Sequence, residues 1–179
     1  MDTGMPTQIP VARCLQSQRM HAAMWPLVAC QAPALPRYAL VASTVALAHE
    51  HHSSIIKLVE AGNFGSAAAL IRPLIETAIT GAWALYCAPA EVIEGLFWNK
   101  QKMPKPNSML TAIERRPELK EKLGLKKLME GKGTLFHRFT HGDMDQLRRR
   151  FNAHGYTFSE QENLGTLYIS DLMLLLSAT

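Results

Sequence analysis

The sequence predicts an all-α fold: a single-domain helical bundle of about six to eight helices spanning residues 1–179. Apolar residues recur at helical spacing, helix-ending glycines and prolines are frequent, and no alternating β-branched runs lie between hairpin turns. Composition agrees, with 47% hydrophobic and 19% charged residues, far from the polar and highly charged pattern of disordered chains. A chain of 179 residues can bury a core without disulfide or metal staples. Cys14, Cys30 and Cys87 are scattered and odd in number, which argues against a disulfide framework and for a reducing, cytoplasmic setting.

The first helix is expected over residues 10–30, bent at Pro26 and ended by the segment from Pro33 to Pro36. Leu27-Val28-Ala29-Cys30 has the look of a lipoprotein box, but Pro26 interrupts the apolar run before it, so an amphipathic helix is the expected reading. The second helix covers residues 38–62 with one apolar face and Gly62 as its stop. His51 and His52 fall on that face, His49 at its margin. A third helix over residues 64–87 is apolar nearly all round, which makes it the central helix, and Pro73 should kink it. The charge-free run over residues 77–90 is too short to cross a bilayer, so no membrane association is expected.

A short helix follows Pro89 and ends in the proline-containing loop over residues 102–107, the expected hinge. Ser108 is the expected cap of the next helix, and Pro117 with Glu118 fits the first turn of another that stops at Gly131. Asp143 with Gln146 and Ser159 with Glu162 are capping-box patterns, the second opening a final helix from residue 160. Leu164, Leu167, Tyr168, Leu172 and Leu175 are its expected buried stripe.

Charge is unevenly distributed. Residues 100–150, from Lys100 to Arg150, carry fourteen basic and six acidic side chains, a local net of +8, while the remainder carries −4. Such polarity suits an acidic partner, nucleic acid being the commonest kind, although a solvated helical face would read the same.

Four constellations could carry chemistry. Arg72 and Glu76, one turn apart on the central helix, can pair and line a ligand groove with Trp83, or tie two helices together. His49-Glu50-His51-His52 fails the HExxH pattern because Ser53 stands where the second histidine belongs, so no metal site and no cofactor are expected. Around the Gly142 corner, His141 is a candidate acid–base group, with Arg138 and His137 as candidate ligand-binding residues, Arg138 being able to hold a phosphate. Arg149 and His154 are spaced so that a cation could hold a phosphate while imidazole moves a 2′-hydroxyl proton, though basic groups at a helix end also stabilise its dipole.

The segment from Ala67 to Glu76, with its R-x-x-x-E pattern at Arg72 and Glu76, and the Phe139-Thr140-His141-Gly142 corner resemble a group of uncharacterised bacterial helical proteins. More distantly the chain resembles the HEPN superfamily of helical bundles. That resemblance implies an up-down core, a homodimer, and metal-independent RNA cleavage of toxin–antitoxin type by an R-x4-6-H motif. Only Arg149 or Arg148 with His154 has the spacing, and the residue after the arginine is another arginine, unlike the family pattern.

Overall fold

The computed structural model describes residues 10–29, 35–98, 100–119 and 160–177. Among these residues the fold is all-α, with no strand. Six helices are described: α1 (Val11–Val28), α2 (Pro36–Glu60), α3 (Phe64–Tyr86), α4 (Ala90–Phe97), α5 (Pro106–Glu114) and α6 (Glu160–Ser177).

The central element is α3. Ile71, Leu74, Ile75, Ile79 and Trp83 are buried on it, and only Arg72 and Glu76 interrupt its apolar surface with charge. Such a helix is stable only when neighbours remove most of its circumference from water. α2, α5 and α6 pack against it. By length and composition α3 could cross a membrane, but half (50%) of its most apolar window is buried inside the bundle, as in a core helix. It runs unbroken through Pro73, and the Thr77 hydroxyl donates to the Pro73 carbonyl at 2.8 Å.

The α2–α3 hairpin turns at Gly62, whose φ of 74° lies in the left-handed region where a side chain is strained. The two helices run antiparallel, because Thr44 meets Gly81 while Arg37 reaches the far end of α3. There Arg37 donates to the carbonyls of Ala84 and Ala88, the second at 2.6 Å, satisfying acceptors that a helix end leaves open. α1 is antiparallel to α2 as well: Gln18 pairs with Glu60, His21 with His52 and Trp25 with His49. One apolar core joins all six helices, from Cys14 on α1 through Ile55, Ile79, Ile93 and Met109 to Leu167 on α6.

Several expectations are corrected. α5 starts at Pro106 after Lys105, so Ser108 lies inside the helix and does not cap it. A proline at the first helical position, with φ already set, opens the helix three residues earlier, with Lys105 in place of Ser108 as the cap position. Trp83 is only 5% exposed and belongs to the core, not to a groove. On α6, Leu167 is buried, but Tyr168 (63%) and Leu175 (46%) are exposed. The buried side instead carries Asn163, Thr166, Ser170 and Asp171 beside Leu167 and Met173; Asp171 meets polar groups of α1 and α2, and the Thr166 and Ser170 hydroxyls donate to carbonyls one turn back on α6.

At Gly81 an added Cβ would lie 2.7 Å from the Thr44 hydroxyl oxygen. Gly81→Ala should therefore lower stability by about 1–3 kcal/mol despite its better helix propensity. In urea melts the double variant Thr44→Ala/Gly81→Ala should recover most of the loss that the single variant shows.

Candidate functional site

The most concentrated chemistry in the described residues lies where α1, α2 and α6 meet. Asp171 is the sole charged residue of α6 after Glu162, and it turns into the bundle. Its Oδ1 accepts from His52 Nε2 at 2.7 Å. Its Oδ2 accepts from Arg13 and, at 3.0 Å, from the Ser17 hydroxyl. Arg13 and Ser17 are one turn apart on α1, so a single helix face presents both.

A second imidazole extends the chain. His21 Nδ1 lies 3.3 Å from His52 Nδ1. A carboxylate can only accept, so His52 carries its proton on Nε2; in the neutral pair His52 Nδ1 then accepts from His21 Nδ1–H. That order leaves His21 Nε2 as the free acceptor at the half-buried end of an Asp171–His52–His21 relay. His49 completes the cluster, its ring centroid 4.0 Å from that of His21 and 5.5 Å from that of Trp25. It is 2% exposed, and neither ring nitrogen has a protein hydrogen-bond partner.

The electrostatics follow from this packing. Burial raises the Asp171 carboxyl, but hydrogen bonds from His52, Arg13 and Ser17 together with the Arg13 charge outweigh it, and the net shift is downward. His21 is pushed down to about 4, first by desolvation and then by His49, His52 and Lys57. Desolvation, with His52 beside it, also lowers His49. The relay is therefore a carboxylate held by Arg13 that orients the His52 ring, with His21 and His49 beside it as imidazoles of lowered basicity. Among the described residues no group of three or more His, Cys, Asp or Glu side chains is placed to hold a metal ion.

The position expected for His49 is corrected: it is buried, whereas His51 is only half-buried. α1 covers a second flank of α2, so the buried surface of that helix is wider than its apolar stripe. Asp171, Arg13, Ser17 and His21 were not singled out from the sequence. A lone charge in an otherwise apolar helix, the signal that marked Arg72 and Glu76, would also have marked Asp171.

Arg72 Nε donates to Glu76 Oε1 at 2.8 Å, and the side chains are 32% and 34% exposed, so the pair sits at the boundary of the bundle. Lys100, Lys102, Lys105, Arg115 and Arg116 are all exposed. His137, Arg138, His141, Arg149 and His154 lie outside the described residues.

Fold and site together define an all-helical bundle with a buried carboxylate–histidine network. The chain belongs to a family of unknown function, DUF6988, whose model matches residues 45–179. No curated protein and no solved structure matches it. His49, His52, Arg72, Glu76 and Asp171 fall within the family segment, and Arg13, Ser17 and His21 precede it.

Two stability measurements probe the network. Asp171→Ala leaves Arg13 without its buried partner and should cost about 3 kcal/mol in denaturant melts at pH 7. Because the folded carboxyl titrates below its ordinary value of 3.8, this contribution is present above that pH and fades as pH falls further. His49→Leu, which removes two polar atoms lacking protein partners, should instead raise stability by about 1 kcal/mol.

Proposed function

We propose that the chain is a cytoplasmic RNA-binding protein that cleaves its target by metal-independent acid–base chemistry, as its resemblance to HEPN bundles implies. The observation that carries the reading is the free display of cations over residues 100–119. All five Lys and Arg side chains there are exposed, against two carboxylates, Glu114 and Glu118, and among the described residues only Arg116 has a carboxylate nearby, Glu118 at 3.8 Å. An exposed cationic surface attracts a polyphosphate backbone by releasing its counterions. In this proposal His141 and His154 exchange protons with the 2′-hydroxyl and the leaving oxygen, while Arg149, Arg138 and His137 hold the phosphate. Two copies would bring these groups together across a homodimer.

The basic surface and the buried histidine relay belong to different parts of the bundle. α5 packs on α3, and Arg116 contacts Cys87 just past the end of α3, whereas the relay joins α1, α2 and α6. The relay is therefore given no part in RNA cleavage. A second reading, a non-catalytic module that binds a protein or small ligand beside Arg72 and Glu76, is favoured by the half-exposure of that pair on the central helix.

The test is binding and cleavage of a labelled single-stranded RNA with chelator present. Reversing Lys102 and Lys105 to Glu should weaken binding at low salt and flatten its logarithmic salt dependence by a slope of at least about 1.4. His141→Ala or His154→Ala should abolish cleavage with binding intact, and light scattering should report a dimer. Full cleavage in both histidine variants removes their catalytic roles. Absence of RNA binding, together with ligand binding lost in Arg72→Ala, would select the second reading.

A further inference from the structure

We propose that α1 is an acid-released cover over the His52–Asp171 pair, docked at neutral pH and displaced when His21 takes up a proton. The inference concerns the docking of α1 and holds whatever the bundle binds.

The interface that holds α1 is built mainly from polar groups. Arg13 and Ser17 reach Asp171, His21 reaches His52, and Gln18 Nε2 donates to Glu60 at 2.6 Å. Among the described side chains of α1, Cys14 and Met24 are the buried hydrophobic ones and Met20 and Val28 are half-buried, whereas Val11, Leu15 and Trp25 are exposed at 61%, 47% and 56%. A helix that buries so little apolar surface belongs to the part of a fold that opens first. The family segment starts at residue 45, within α2, so α1 is added to the matched part of the chain and covers two of its polar residues.

His21 is the group on this interface whose charge α1 cannot tolerate. It faces His49, His52 and Lys57 of α2, and beyond His52 it meets Asp171 of α6, whose carboxylate is already engaged by Arg13, Ser17 and His52. A proton on its ring therefore places a partly buried cation beside two imidazoles and a lysine, with no free carboxylate in contact among the described residues. Undocking returns that cation to water. The direction follows: a histidine with a docked value near 4 and an ordinary value of 6.5 favours docking above pH 6.5 and opposes it increasingly as pH falls toward 4. One-proton linkage between these values weakens docking roughly 30-fold at pH 5. Asp171, held below its ordinary value while α1 is docked, stays ionised in the docked state over this window, so His21 is the group of this contact that takes up the proton.

Hydrogen exchange of the wild-type protein, read by mass spectrometry at pH 7 and pH 5 and corrected for intrinsic rates, tests the proposal. Amides of α1 should lose protection by about 10-fold or more at pH 5, while those of α3 stay unchanged. In His21→Gln, or in His21→Phe if the first variant does not fold, α1 protection should be the same at both values. Constant α1 protection in the wild type, a parallel loss in α3, or an undiminished acid response in the His21 variant would each overturn it.

Discussion

The bundle is organised by the need to bury α3. Its apolar residues point in nearly every direction, so no single partner can shield it. α2 covers one side through the tight turn at Gly62, and α5 and α6 cover the others. Close approach of α2 depends on Gly81, where the absence of a side chain admits Thr44. Arg37 then holds the far end of the hairpin by binding carbonyls at the end of α3. Each device is local, and each follows from surrounding one apolar helix without leaving backbone groups unpaired.

Around this apolar centre the outer seam is polar. Asp171 joins three helices with one carboxylate, accepting from Arg13 and Ser17 on α1 and from His52 on α2. Buried ionic groups rarely add net stability over well-packed hydrocarbon, but they penalise any arrangement in which their partners are missing. That penalty fixes how α1 and α6 sit on α2. The same seam disfavours a proton on His21, through desolvation first and then through His49, His52 and Lys57 beside it.

The helices were legible because their cause is local. Proline at the first turn, glycine after the last and the all-apolar run over α3 are features of neighbouring residues; α2 and α3 fall within two residues of their expected limits, and α4 starts directly after Pro89 but stops at Phe97, short of the 102–107 loop. The start of α5 was misjudged because Ser108 and Pro106 both signal a helix N-terminus and the proline prevailed. The face of α6 was misjudged for a different reason. Its leucine and tyrosine stripe is more hydrophobic than its Asn163, Thr166, Ser170 and Asp171 side, yet that side is buried: Asp171 meets Arg13, Ser17 and His52 of α1 and α2, and the Thr166 and Ser170 hydroxyls donate to carbonyls of their own helix.

By itself, then, the amino-acid order determined that the chain is helical, which helix is central, that Arg72 and Glu76 can pair, and that positive charge is concentrated over residues 100–150. Only the tertiary structure decided that Arg13, Ser17, His21, His52 and Asp171 form one network. Asp171 stands 119 positions from His52 and 158 from Arg13 in the chain, and no helical period relates such distant residues. Periodicity reports which side of a helix prefers to leave water. Which polar groups meet there is settled by how the helices stack.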